Sequence, residues 1–393
     1  MQQTERPADS AYLTSLEHNA PPQTPTPSSG QRLGSTWGIT QDDRPLSLFD
    51  LQRLVRKTLP GVSAGNCCVH RRSVSGIVSV RLHVTGQGEQ VASYDGLLHC
   101  GNVWTCPLCA NRVAKTRRDE IADVLSQAKE RGYRVYFLSL TVRHSLMETL
   151  DGLRMRFANA RRVMRNRRKW KMLASGVGIV GYIRGIEVTY GEFGWHYHSH
   201  EILICSPDGA ELDESTILTE WQAACKASHL GIPTAHGVDL QRSCSVNAAG
   251  YPVKSDLQEE ITSSMFKTSN GNYTPWGMLA LGAKTGSYLL AKFAEYAKTM
   301  PGTKRIMFSR GLRQLFDLGE PASDQEVVDE KKGEAVFYFR PAEWDLIIRH
   351  EKRKEILDLF THKTVGQAIV ITRDLLISLQ RIEPGRFQAR KRR

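Results

Sequence analysis

The stretch GWHYHSH, residues 194–200, contains the alternation that decides the fold of this chain of 393 residues. Side chains on a strand point to opposite faces in turn, so a strand here places its three histidines on one face. Just upstream, YIRGIEVTY (residues 182–190) predicts a second strand. Only the turn GEFG (residues 191–194) separates the two, which predicts a tight antiparallel hairpin.

The hairpin also determines which residues face each other. Counting back from the turn places Glu187 opposite His198, and directly paired residues lie about 5 Å apart on one face. Two imidazoles and a carboxylate suit Mg²⁺ or Mn²⁺ with positions left open for a phosphate oxygen. The sequence therefore predicts a metal site of Glu187, His198 and His200, with His196 as a further ligand or a positioning residue. Solvent-facing strand histidines are the alternative.

Composition and periodicity divide the chain into four segments. Residues 1–45 are rich in Pro, Ser, Thr and Gln, which predicts a disordered leader. Residues 46–131 contain five cysteines and end in an amphipathic helix pattern. Residues 132–318 contain the strand RVYFLSLTVRH, the hairpin and further helices, and residues 319–393 form a smaller segment with a basic end. This mixture predicts an α+β fold built on a largely antiparallel sheet.

The overall charge favours a polyanionic partner. The formal net charge is +12, and each cation that neutralises a phosphate releases counterions. Charge alone does not separate DNA from RNA or an acidic membrane. However, the chain has no uninterrupted run of about eighteen apolar residues and no secretory signal layout at its start. We therefore expect a cytoplasmic protein without a membrane partner.

One predicted helix is strongly basic. Its sequence is RMRFANARRVMRNRRKWKML, residues 154–173. Such a helix can lie along a phosphate backbone, and a solvated helix face is the alternative. The candidates for contact with DNA are Arg161, Arg162, Arg165, Arg167, Arg168 and Lys169.

The cysteines predict a second metal site. CPLC, residues 106–109, is a knuckle in which two thiolates wrap a zinc ion. In a cytosolic protein such a cluster indicates metal rather than disulfides, and four thiolates make a closed, structural zinc site. The predicted ligands are Cys100, Cys106 and Cys109, with Cys67 or Cys68 as the fourth. His70 and His99 are alternatives for the fourth ligand, and reduced buried thiols are the alternative to a metal site.

The order of these motifs resembles that of the HUH endonucleases, and within them the Rep_1 family of plasmid rolling-circle replication initiators. FLSLTVRH, IEVTY and GWHYHSHEIL are similar to the family's apolar strand ending in T-L-T, its E-x-T strand and its G-W-H-x-H-x-H. The cysteine segment also resembles the family's C-G-x-V-W-x-C-P-x-C. The resemblance covers about residues 67–316. It implies an HUH-type antiparallel sheet with flanking helices in residues 132–318, preceded by a Cys-rich zinc-binding element in residues 46–131.

The resemblance further implies a tyrosine that cuts DNA. Tyr251, in AAGYPVK (residues 248–254), is similar to the family's A-A-x-Y-V-x-K and is the preferred nucleophile. Lys254 is about one helical turn away and is expected to contact the phosphate or steady the phenolate. Tyr288 and Tyr296 are the alternatives.

Two residues near Tyr251 depart from the family pattern. Pro252 is tolerated only near a helix start, so Tyr251 is expected in a first turn. Asn247 stands where some relatives have a glutamate that activates water to end a replication round. The resemblance therefore does not imply glutamate-assisted termination in this chain.

The implied activity is a nick in one DNA strand at a plasmid origin, through a tyrosine and Mg²⁺ or Mn²⁺, leaving a 5′-phosphotyrosine and a free 3′-hydroxyl. The implied partners are origin DNA, as a single strand or hairpin, and a host helicase and polymerase in the bacterial cytoplasm. A relaxase or transposase with the same site is one alternative. A non-enzymatic, zinc-containing regulator that binds DNA is the other.

Overall fold

The computed structural model describes residues 36–41, 44–74, 76–84, 88–243 and 272–382, all within one compact unit, Ser35–Arg393. Tyr251, Lys254, Asn247 and most of the predicted leader lie outside the described residues. Among the helices that are described, none combines the length and the apolar composition needed to span a membrane.

An antiparallel sheet of six strands forms the centre of the described chain. Its strands are β5 (Arg134–Leu140), β6 (Ile179–Gly191), β7 (Gly194–Cys205), β8 (Val238–Ser243), β9 (Asn272–Tyr273) and β10 (Ile306–Phe308). The order is β10-β6-β7-β5-β8, with β9 paired to β6, and every neighbouring pair is antiparallel. The predicted α+β fold on an antiparallel sheet is confirmed.

Two smaller sheets precede and flank the central one. Strands β1 (Thr36–Gln41) and β2 (Arg44–Ser47) pair with each other, so the predicted leader of residues 1–45 extends too far at its end. Strands β3 (Val78–Val84) and β4 (Gln90–Asp95) pair, and β11 (Glu334–Phe339) adds to β3. The C-terminal segment therefore completes a sheet begun by the cysteine-rich segment.

Twelve described α-helices surround these sheets. They are α1 (Leu48–Thr58), α2 (Pro107–Glu130), α3 (Leu150–Asn166), α4 (Arg168–Val177), α5 (Glu214–Ala227), α6 (Pro275–Thr285), α7 (Ser287–Thr299), α8 (Leu312–Leu315), α9 (Asp324–Asp329), α10 (Pro341–Arg349), α11 (Arg353–His362) and α12 (Val365–Ile382). The predicted basic helix is in fact two, because Arg167 has extended backbone (φ −68°, ψ 144°) between α3 and α4.

The two faces of the central sheet are covered differently. One, which we call the helix-covered face, packs on α3 and α5, where Phe157 contacts Tyr197 and Trp221 edge to face. The other, which we call the histidine face, contains the side chains of Glu187, His198 and His200. Its far end is covered by α2 and α8 in a separate apolar cluster. The histidines lie beyond that cluster, where His196 and His198 are partly buried and His200 is buried.

Candidate active site

The hairpin of β6 and β7 has the register that the turn predicts. Tyr190 pairs with Trp195, and Glu187 pairs with His198. Because side chains alternate along a strand, Glu187, His198 and His200 all point to the histidine face. Sheet pairing thus brings Glu187 together with two histidines that follow it by eleven and thirteen positions in the chain.

The three side chains converge on one point. Oε2 of Glu187 lies 2.8 Å from Nε2 of His198 and 3.0 Å from Nε2 of His200. One ligand atom from each residue lies within 4.8 Å of the others, so the group can hold a metal ion. Burial by itself would raise the pKa of Glu187, but hydrogen bonds from the two imidazoles outweigh it and hold that pKa well below its usual range. The carboxylate is therefore charged at neutral pH and ready to bind a cation.

His196 lies beside this group rather than in it. Its Nε2 is 2.7 Å from Oγ1 of Thr141, and its ring stacks between those of His144 and His198, at centroid distances of 5.0 and 4.5 Å. Burial, together with the neighbouring imidazoles, lowers the pKa of His196 to about 3. A ring whose Nε2 is already bonded to Thr141 fits the predicted positioning role better than ligation.

The two alternative tyrosines lie away from the metal group. The Tyr288 hydroxyl contacts that of Tyr190, and Tyr190 points to the helix-covered face because three positions separate it from Glu187. Tyr296 is fully buried between Trp104 and Phe293, and burial raises its pKa. Neither alternative nucleophile is placed beside the histidines, and Tyr251 remains the prediction.

Half of the predicted DNA-contacting residues form ion pairs with carboxylates inside the protein. Arg161 and Arg165 both pair with Glu201, a fully buried residue of β7. Arg167 pairs with Glu220, which is buried on α5. Arg161 itself is buried, so the predicted contact of Arg161 with DNA does not fit. The exposed members of the set are Arg162, Arg168 and Lys169.

Four thiols converge in the cysteine-rich segment. The sulfur atoms of Cys67, Cys100, Cys106 and Cys109 lie within 4.8 Å of one another, which can hold a metal ion. Of the two alternatives for the fourth position, the structure places Cys67 in the group. His99 instead has its Nδ1 3.0 Å from a carboxylate oxygen of Asp329.

The loop that carries Cys67 is held by distant parts of the chain. Gln52 of α1 donates to the carbonyl of Cys67. Arg353 donates to the Cys68 carbonyl at 3.1 Å, and the Trp344 indole donates to the Val69 carbonyl at 2.8 Å. Sequence reasoning missed both C-terminal residues, because no local pattern links them to a loop about 280 positions earlier.

Comparison with known proteins agrees with this geometry. The family model of Rep_1, described as "Replication protein", matches residues 98–336, more than half of the chain. "Protein rep" of Streptomyces lividans is 27% identical over 305 residues, covering 60% of this chain and 66% of the relative. "Neomycin resistance protein" of Streptomyces cyanogenus is 30% identical over 158 residues, covering 33% of this chain and 34% of the relative. The chain thus spans less than two thirds of either relative, and no solved structure matches it.

Proposed function

Since this chain belongs to the Rep_1 family of replication proteins, we propose that it starts rolling-circle replication of a plasmid by nicking one DNA strand at the origin. The observation that carries the proposal is the meeting of the Glu187 carboxylate with the Nε2 atoms of His198 and His200 on the partly open face of the sheet.

In this proposal Glu187, His198 and His200 hold Mg²⁺ or Mn²⁺. When bound, the ion polarises the scissile phosphate, so that a phenol with an ordinary pKa near 10 becomes a competent attacker. Carboxylate oxygen with two imidazoles fits either ion and leaves coordination positions for a phosphate. His196, bonded to Thr141, stays outside the ligand set and supports the ring of His198.

Tyr251 is the proposed nucleophile. Its oxygen attacks the phosphorus, the bond from phosphorus to the 3′-oxygen breaks, and that oxygen takes up a proton. The products are a 5′-phosphotyrosine and a free 3′-hydroxyl from which a polymerase extends. Lys254 is proposed to contact the phosphate or to steady the phenolate.

The four thiolates are proposed to hold a structural zinc ion with no part in the chemistry. All four positions of a tetrahedral site are then filled by protein, which leaves none for a substrate. The short approach of Cys67 to Cys109, 3.5 Å between sulfur atoms, fits thiolates that share one ion.

The proposed partners are origin DNA, as a single strand or hairpin, and a host helicase and polymerase in the bacterial cytoplasm. Exposed Arg162, Arg168 and Lys169 are the proposed contacts to the DNA backbone. Phosphate contacts of this kind position a protein on DNA without reading its sequence.

The test is Mn²⁺-dependent nicking of a supercoiled plasmid that carries the cognate origin. We expect Tyr251→Phe to abolish both the nick and the covalent protein–DNA adduct. The matched control is Tyr288→Phe, which removes the phenol of another candidate tyrosine and should nick like the unchanged protein. Undiminished nicking by Tyr251→Phe would remove Tyr251 from this role.

The same assay separates the alternatives. A zinc-containing regulator would bind DNA but cut nothing with Mn²⁺. A relaxase or transposase would cut a transfer origin or an element end in preference to a replication origin.

A further inference from the structure

Strand β5 lies directly beside the histidine strand. It pairs antiparallel with β7, and Ser139 is the register partner of His200. Alternate residues of β5, and Thr141 one residue past its end, reach the histidine face. Each of three such residues contacts an imidazole. Phe137 stacks on His200, with 5.3 Å between ring centroids. The Ser139 hydroxyl lies 2.9 Å from Nδ1 of His200, and the Thr141 hydroxyl lies 2.7 Å from Nε2 of His196.

The two nitrogens of His200 have different partners. Nε2 faces the Glu187 carboxylate at 3.0 Å, and Nδ1 faces the Ser139 hydroxyl at 2.9 Å. In a neutral imidazole one nitrogen donates and the other accepts. Without a metal, Nε2 donates to Glu187, so Nδ1 must accept a hydrogen bond from Ser139.

With a cation in the site the roles reverse. Nε2 must offer its lone pair to the ion, so the proton resides on Nδ1, which then donates to Ser139. A hydroxyl can donate and accept, whereas a carboxylate or carbonyl only accepts. Ser139 is therefore a partner that satisfies His200 in both states without any movement of the ring.

We propose that Ser139 is a positioning residue that keeps His200 in one orientation in both the metal-free and the metal-bound protein by reversing its hydrogen bond. The proposal rests on the proposed function, because it takes His200 as a metal ligand. Stacking on Phe137, with ring planes 15° apart, fixes the plane of the ring. The Ser139 hydroxyl then fixes which nitrogen faces Glu187.

Thr141, one residue past the end of β5, provides an internal contrast. Its hydroxyl lies 2.7 Å from Nε2 of His196, which is outside the ligand group. The hydroxyls of Ser139 and Thr141 thus contact one histidine in the ligand group and one beside it.

The first experiment measures Mn²⁺ affinity of the full chain by electron paramagnetic resonance. Loss of such an outer partner typically weakens metal binding by about 10–100-fold, and we expect that of Ser139→Ala. Ser139→Thr, which keeps a hydroxyl, should bind nearly as the unchanged protein does. Ser199→Ala, which removes a hydroxyl from the opposite face of β7, is the matched control and should not change the affinity.

The second experiment reads the ring protonation of His200 directly by ¹⁵N NMR. In the unchanged protein we expect the proton on Nε2 without metal and on Nδ1 with diamagnetic Mg²⁺. Ser139→Ala should give a mixture of the two forms without metal. Thermal unfolding of each variant confirms that it is folded.

The outcomes separate the two hypotheses. Tight Mn²⁺ binding by Ser139→Ala, or an equal loss in Ser199→Ala, would overturn the positioning role and leave the metal site intact. Absence of Mn²⁺ binding in the unchanged protein would overturn the proposed function. Even then, the spectrum of the metal-free protein tests the proposed hydrogen bond from Ser139 to Nδ1 of His200, because a proton on Nδ1 would contradict it.

Discussion

Cys67 and Cys68 are adjacent and chemically identical, yet their surroundings differ. The sulfur of Cys67 lies within the thiol group, whereas Cys68 has left-handed backbone (φ 54°) and its sulfur is 3.9 Å from that of Cys67. We expect Cys67→Ser to lose its zinc and Cys68→Ser to keep about one zinc per chain. Metal analysis of the two purified variants measures this. Equal zinc content in both would contradict the assignment of Cys67 as the fourth ligand.

Between elements, an ion cluster joins helix α3 to the central sheet. Glu201 of β7 is fully buried and pairs with Arg161 and Arg165 of α3. Burial alone would raise the pKa of Glu201, but the two guanidiniums outweigh it and lower that pKa to about 2, from an ordinary value of 4.5. A buried carboxylate with two cations thus attaches the helix to the sheet only while it is charged.

This lowered pKa predicts a pH dependence of stability. Since the folded pKa lies below the unfolded one, the contribution of Glu201 is complete above pH 4.5 and is lost as the pH falls toward 2. The free energy of unfolding of Glu201→Gln should not show this loss at low pH. The substitution should also reduce the free energy of unfolding at neutral pH by about 3–5 kcal/mol, because Arg161 stays buried without its charged partner.

Denaturant unfolding at a series of pH values tests this expectation. Glu192→Gln is the matched control, since it makes the same change on the exposed hairpin turn and should alter stability by less than about 0.5 kcal/mol. An acid profile of Glu201→Gln identical to that of the unchanged protein would show that the cluster does not couple helix and sheet.

Helix α4 is the element we expect to contact DNA. Its first residues, Arg168 and Lys169, are exposed, unlike the paired arginines of α3. Replacing both by alanine should weaken binding to single-stranded DNA and reduce the slope of log affinity against log salt by about 1.4, or 0.7 for each lost phosphate contact. Fluorescence anisotropy over a salt series measures the slope. Alanine at Lys363 and Arg373, exposed cations near the C-terminus, should leave it unchanged.

At the scale of the whole molecule, the two ends of the described chain fold together. Strand β11 pairs with β3, Trp344 packs edge to face on Tyr94 at 5.0 Å, and Arg353 is bonded to the Cys68 carbonyl. The cysteine-rich element and the C-terminal segment are thus one structural unit, although about 240 residues separate β4 from β11 in sequence.

Removal of residues 319–393 should therefore disrupt the zinc site. The deletion removes β11, which leaves β3 as an open sheet edge. It also removes Trp344 and Arg353, which donate hydrogen bonds to the loop of Cys67. We expect the shortened protein to release zinc to a chelator at concentrations that leave the full chain loaded, and to aggregate more readily. A chain that ends at residue 382 is the control and should behave as the full chain. Zinc retention by the shorter form would show that the cysteine element folds without the C-terminal segment.

Local periodicity was enough to predict the centre of the candidate site. A strand has a period of two and a tight turn permits one register, so the sequence alone determined that Glu187 faces His198 beside His200. The spacing CPLC likewise indicated a thiol cluster, and the mixture of strands and helices indicated an α+β fold. All of these are properties of short segments.

Only the tertiary structure decided which of several residues of the same type occupies a given position. It selected Cys67 over Cys68, buried Arg161 against Glu201 while leaving Arg168 exposed, and placed the Ser139 hydroxyl on His200. The physical reason is that each choice depends on pairing between strands or helices distant in sequence. Such pairing arises from burial of apolar faces across the whole chain, which no local pattern specifies.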